Sequence, residues 1–216
     1  MSTTATPSQQ SSFIDVIQSR HSVRQYDPNF VLSREEIKEL LTLASQAPSS
    51  SNMQHWRYLV IDSPEQKERL LPIANNQHQV VEASATIAIL ADTEGYRNAE
   101  RIYGQAAEAG YMAPDLAKSF AERTYSMYSS LPYERAREIA VVDASLAAMQ
   151  LMLVARAKGY DTVPMGGFDR EKFIEAFGLG KRYVPVMLIP VGKAAKAGHP
   201  TARLPIEEVV FWNEVK

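Results

Sequence analysis

Between Val141 and Ala155 the chain is apolar with little relief, and only Asp143, Ser145 and Gln150 interrupt it. Wound as a helix, this stretch has no face to offer water. It is expected to lie buried on every side, in a core or against another subunit. Gly159 follows as its natural C-terminal cap. Neither Leu146–Ala155 nor Val184–Val191, the most apolar runs, is long enough to span a bilayer, so no membrane partner is expected.

The other segments carry their own start and stop signals. Ser12 and Asp15 open a first helix that ends near Arg20, with Phe13, Ile14, Val16 and Ile17 on one apolar face. Ser33 and Glu36 form a capping box before Ile37, Leu40, Leu41 and Ala44, and Pro48 is expected to terminate that helix. Trp56–Ile61 reads as a strand, Ser63-Pro64 as a helix start, and Thr86–Ala91 as a buried strand. From 97 to 130 a tyrosine-rich helical pattern breaks at Gly110 and Pro114, which suggests short helices forming a flap or lid. Packing in core and interface explains the same aromatics. Asp161–Pro164 is expected to be a short strand, Asp169–Phe177 a capped helix ending at Gly178, and Tyr183–Val191 a buried strand. The end, Ile206–Trp212, is apolar and looks extended, with no evident partner in its own protomer. Without repeats or a linker-like shift, residues 12–216 form a single domain behind a flexible polar tail, residues 1–11.

Composition narrows the chemistry. With 23 basic and 25 acidic residues the net charge is −2, so bulk charge draws in neither nucleic acid nor an anionic surface. The absence of cysteine removes disulfides, thiol nucleophiles and iron–sulfur clusters, and suits a reducing, cytoplasmic setting. The histidines show no metal-ligand spacing, and the tail lacks a secretory pattern. Rossmann, P-loop and nucleophile-elbow motifs are missing.

Several polar segments remain. Arg20-His21-Ser22-Val23-Arg24 offers two guanidiniums and a hydroxyl, suited to a phosphate or simply to a helix C-terminus. Ala47–Trp56 is a loop rich in hydroxyls and amides, or an ordinary turn. Val163–Asp169 contains Gly166-Gly167, where backbone N–H groups can approach a ligand, unless it is only a tight turn into a helix. Arg203 lies in a late loop, and Asn76 and Gln79 form a possible amide pair.

In this order and spacing, RHSVRQYD (20–27), APSSSNMQHW (47–56), VPMGGFD (163–169) and RLPIEEVV (203–210) resemble the FMN-dependent nitroreductase family. The resemblance implies an α+β fold, a mainly antiparallel sheet flanked by helices, in an intertwined homodimer with FMN at the interface. It places Arg20, Ser22 and Arg203 on the FMN phosphate and ribityl chain, and Arg24 at the pyrimidine edge. Pro48, Ser49, Ser50 and Gln54 would come from the other subunit. Asn76 and Gln79 would face the polar ring edge, with the Gly166–Gly167 backbone toward flavin N5; His21, Pro164 and Met165 complete the set. Thr201 stands where the family often has a second basic residue, Gly166 where some members have glutamate, and Gln79 where some have lysine.

The implied activity is hydride transfer from NADPH or NADH through bound flavin to nitroaromatics, quinones or similar small electron-poor acceptors, by a ping-pong cycle. Relatives that dehalogenate or convert flavin, and a flavin-binding protein without turnover, are the alternatives. No ionisable side chain is needed for hydride transfer, in keeping with the lack of an obvious His–carboxylate pair in the sequence.

Overall fold

A computed structural model describes residues 12–215; the expected tail at 1–11 lies outside the described residues. Its sheet has four strands, β1 (Trp56–Ile61), β2 (Ala85–Asp92), β3 (Asp161–Thr162) and β4 (Tyr183–Gly192), in the order β1-β2-β4-β3, every pair antiparallel. Around it lie α1 (Phe13–Ser19), α2 (Arg34–Ala44), α3 (Pro64–Ile73), α4 (Gln79–Glu82), α5 (Ala99–Glu108), α6 (Pro114–Ser129), α7 (Tyr133–Ala157), α8 (Arg170–Ala176) and α9 (Ile206–Val209). This is the expected α+β arrangement.

Strand β2 is buried along its whole length, so alternate residues feed two cores. Ala85, Ile87, Ile89 and Ala91 join Leu40 of α2 and Leu151 of α7 on one face. Ala88 and Leu90 join Leu70 of α3 and Phe173 of α8 on the other. Local signals place the helices. Ser12 with Asp15 and Ser33 with Glu36 both close capping boxes, Asp169 caps α8, and Gly159 (φ 77°) and Gly178 (φ 64°) take left-handed turns after α7 and α8. The 97–130 region is a hairpin of α5 and α6, broken at Gly110 (φ 75°) with Pro114 opening α6.

Four expectations need correction. Helix α2 stops at Ala44, ahead of Pro48, because Ser45 already caps it. The short strand covers only Asp161–Thr162, and contact with β4 resumes as a single bridge at Met165. The C-terminal segment begins as one helical turn, α9, after Pro205 and is exposed, Phe211 and Trp212 included, apart from half-buried Val210. Helix α7 starts at Tyr133, and its 25 residues are by length and apolarity alone enough to cross a bilayer. It is the central helix here, yet it is not enclosed on all sides. Ala140, Ala144, Ala147, Ala148, Leu151 and Ala155 let it approach the sheet closely, while Val142, Leu146 and Met149 remain 58%, 43% and 41% exposed. Those three form one stripe at i, i+4 and i+7.

At one end of the sheet, buried Asp92 takes Arg182 Nε at 2.6 Å and Nη2 at 2.7 Å, Arg57 Nη2 at 2.6 Å and the Glu94 amide at 3.0 Å. Burial opposes the Asp92 charge, but the Arg182 hydrogen bond and the Arg57 charge together hold its carboxyl below the ordinary value of 3.8. The stabilisation this brings is complete above that value and disappears as pH falls through the lower folded one. Asp92→Asn is therefore expected to cost about 3 kcal/mol at neutral pH. In urea unfolding, the gap from wild type should narrow on acidification.

Candidate functional site

Arg20–Arg24 runs along the outer edge of the sheet. Ser22 forms a parallel bridge with Thr162, and the Val23 amide donates to the Thr162 carbonyl at 3.1 Å. Tyr26 pins the segment, donating its hydroxyl to Pro190 O at 3.2 Å; burial and Asp161 push that phenol far above its usual range. Beyond β3 the chain continues beside β4, where Met165 and Leu188 exchange backbone hydrogen bonds at 2.8 and 3.0 Å. Met165 is buried, so Pro164, Gly166 and Gly167 stand on the surface.

The Gly167 carbonyl accepts Gln77 Nε2 at 2.8 Å and Asn75 Nδ2 at 3.0 Å. The amides touching the glycine pair are thus Asn75 and Gln77. Gln79 is buried and supports Gln77 at 3.2 Å, and Asn76 is exposed at φ 56°. After β4 the chain folds back so that Gly198 lies against His21 and Ser22. Arg203 follows on an exposed segment and donates to Thr201 Oγ1 at 2.7 Å and Ala202 O at 2.8 Å. Among the described residues, no carboxylate pairs with Arg20, Arg24 or Arg203. Three uncompensated guanidiniums and an open glycine backbone suit an anionic, hydrogen-bonding ligand such as a flavin phosphate.

Pro48, Ser49, Ser50 and Gln54 are somewhere else. Their loop precedes β1, at the opposite edge and the opposite end of the sheet. From β1 across β2, β4 and β3 to Ser22 is four strand spacings, about 19 Å. The loop and Ser22 therefore stand at opposite edges of the sheet.

Inside this loop, Ser49 Oγ accepts the Gln54 amide at 3.0 Å, and the Ser50 hydroxyl donates to Asp143 at 3.0 Å. The proton of Ser50 Oγ is therefore committed within the protomer. Arg57, held by Asp92, donates to Gln54 O at 2.9 Å. Tyr103 of α5 donates to Ser51 O at 3.1 Å, and Tyr128 of α6 meets Ser51 Oγ at 3.2 Å, so the tyrosine hairpin rests on the loop. His55 Nδ1 and Asp143 Oδ2 are 2.7 Å apart and buried. The sequence shows no obvious His–carboxylate pair, and the fold makes this one from partners 88 residues apart. The available signal was Asp143 itself, an acid inside an apolar helix that has to find donors.

The description Nitroreductase family belongs to the family model that matches residues 17–193, most of the chain. YodC of Bacillus subtilis (strain 168), which bears an NAD(P)H nitroreductase name, is 47% identical over 92% of this chain and 98% of its own length. The CLA biosynthesis enone reductase of Lactiplantibacillus plantarum is 38% identical over 88% of each. A crystal structure from Exiguobacterium sibiricum 255-15, described as a nitroreductase in complex with FMN, superposes with a TM-score of 0.91 at 44% identity, covering 96% of this chain and 100% of that one. The chain belongs to the nitroreductase family.

The two glycines are under different constraints. A Cβ added at Gly166 meets nothing within 4 Å, whereas at Gly198 it falls 2.8 Å from the Ser22 carbonyl oxygen and from His21 Cβ. Gly166→Ala is expected to change unfolding stability by no more than about 0.5 kcal/mol. Gly198→Ala should cost at least about 1 kcal/mol, and urea midpoints of the two variants check the contrast.

Proposed function

We propose that the chain is an FMN-dependent oxidoreductase, active as a homodimer, that moves hydride from NADPH or NADH to nitroaromatic, quinone or similar electron-poor acceptors. The observation that carries this reading is the division of the site into two incomplete halves. Ser22 lies at one corner of the sheet, the chain leading to Gly166-Gly167 runs beside β4, and the hydroxyl-rich loop enters β1 at the opposite edge. A second copy brings its loop to the first copy's arginines, as the resemblance implies. The surface for such an assembly is already apolar: Val142, Leu146 and Met149 on α7, and Leu204, Ile206, Phe211 and Trp212 on the C-terminal segment.

Bound FMN supplies the redox chemistry, taking hydride from the nicotinamide and passing it to an acceptor as the two substrates alternate. The residues of the chain do the rest. Arg20, Ser22 and Arg203 hold the phosphate and ribityl chain, and the Gly166–Gly167 backbone offers N–H groups to the ring. Arg24, exposed and without an ion-pair partner, places a fixed positive charge where negative charge appears on reduction. Likeness to an enone reductase adds conjugated carbonyl compounds to the acceptors worth testing.

Purified protein is expected to be yellow, with about one FMN per chain, and to oxidise NADPH or NADH when a nitroaromatic, a quinone or an enone is supplied. Colourless protein that takes up no FMN would end this reading. Arg203→Ala and Arg24→Ala should fail in different ways. The first faces a charge that does not change in turnover, so FMN retention should fall by about tenfold or more. The second should keep its flavin but reduce it more slowly and at a lower potential. Equal flavin loss and equal residual turnover contradict these roles. Charging the α7 stripe with Leu146→Glu and Met149→Glu together should give a monomer in sedimentation that has lost FMN; a folded monomer retaining FMN contradicts the shared site.

A further inference from the structure

We propose that Asp143 is a positioning residue: from inside α7 it clamps the Ser49–Gln54 loop in the shape that the flavin site of the second copy requires. The inference rests on the reading of this loop as the part contributed across the interface. Asp143 is 1% exposed, and both its oxygens are occupied from one short stretch of chain. Oδ1 accepts the Ser50 amide at 3.1 Å and hydroxyl at 3.0 Å; Oδ2 accepts the same amide at 3.0 Å and His55 Nδ1 at 2.7 Å. A carboxylate only accepts, so His55 carries its proton on Nδ1. The imidazole has little room to leave: a Cβ on Gly95 would fall 2.7 Å from its Cδ2, and the Tyr128 ring lies 5.6 Å away.

The loop has a reason to need holding. Ser51 (φ 50°), Asn52 (φ 58°) and Gln54 (φ 51°) are all left-handed, although none is glycine. Such conformations persist only where the surroundings over-determine them, and they gather at ligand clamps. Here the Ser50 end is fixed by Asp143 and the Gln54 end by Arg57, itself paired with buried Asp92. Two acids from the core, one on α7 and one on β2, therefore brace a loop that reaches toward another molecule. A loop ordered before the ligand arrives does not lose that ordering entropy on binding. Asp143 of one copy thus sets the flavin affinity of the other.

The test compares Asp143→Asn with Leu151→Ala, a core truncation on the same helix away from the loop. FMN affinity is measured by flavin fluorescence, assembly by sedimentation, and loop order by amide hydrogen exchange in the flavin-free protein. Asp143→Asn should remain a dimer, bind FMN about tenfold or more weakly, and exchange faster at residues 50–54 than elsewhere. Leu151→Ala should lose thermal stability and yet bind FMN within about twofold of wild type. Ser50→Ala, which removes one of the hydrogen bonds to Asp143, should show the same effects in smaller degree and serves if Asp143→Asn does not fold. Unchanged FMN affinity, unchanged loop exchange, or equal flavin loss in Leu151→Ala each overturns the clamp while leaving the flavin reading intact. Wild-type protein that takes up no FMN overturns both, and does so before any substitution is made.

Discussion

Asp143 occupies the buried face of α7, otherwise alanine, leucine and methionine, and the donors that meet it come from a stretch six residues long, Ser50 to His55. A buried carboxylate without donors is among the most costly arrangements a core can contain, so helix and loop are placed together or not at all. The same residues lead directly into β1, whose first residue, Trp56, pairs with Ala91 of β2. Position passes in this way from the central helix to the loop and into the sheet. The alanines around Asp143 allow the close approach that makes the contact possible.

The fold then presents two unlike surfaces. One sheet edge carries arginines without counter-charges and a glycine pair whose carbonyl is held by amides; the opposite corner carries a rigid, hydroxyl-rich loop. In the proposed homodimer, a ligand with a phosphate at one end and a polar ring at the other would match the sum of these. Membership of the nitroreductase family supplies the context in which the sum makes sense. The exposed stripe of α7 and the exposed apolar residues of the C-terminal segment are the surfaces on which the proposed homodimer would assemble.

Much of this was legible in the sequence where the determinant was local. Ser33 and Glu36 mark a helix start without knowledge of anything distant, and Gly159 and Gly178 mark ends because left-handed turns favour glycine. Strand β2 was legible because burial on both faces leaves a continuous apolar run. What was missed depends on contacts between remote segments. The pairing of His55 with Asp143 and the approach of Asn75 and Gln77 to the Gly167 carbonyl are decided by tertiary position. The exposed face of α7 was left open between core and subunit contact for a related reason. A helix apolar all round says that every face is covered, but not whether by its own chain or by another.

The central claim is that each site is built from two chains, and complementation tests it most directly. One inactive variant carries Arg20→Glu with Arg203→Glu, disabling the cationic half, and another carries Pro48→Glu on the loop, an exposed position where the fold should tolerate charge. Unfolded together and refolded as a mixture, the two should form heterodimers, each holding one site without a substitution. About a quarter of wild-type FMN binding and turnover should return with random pairing. A mixture as inactive as either variant alone, with heterodimers verified by mass, would contradict the shared site.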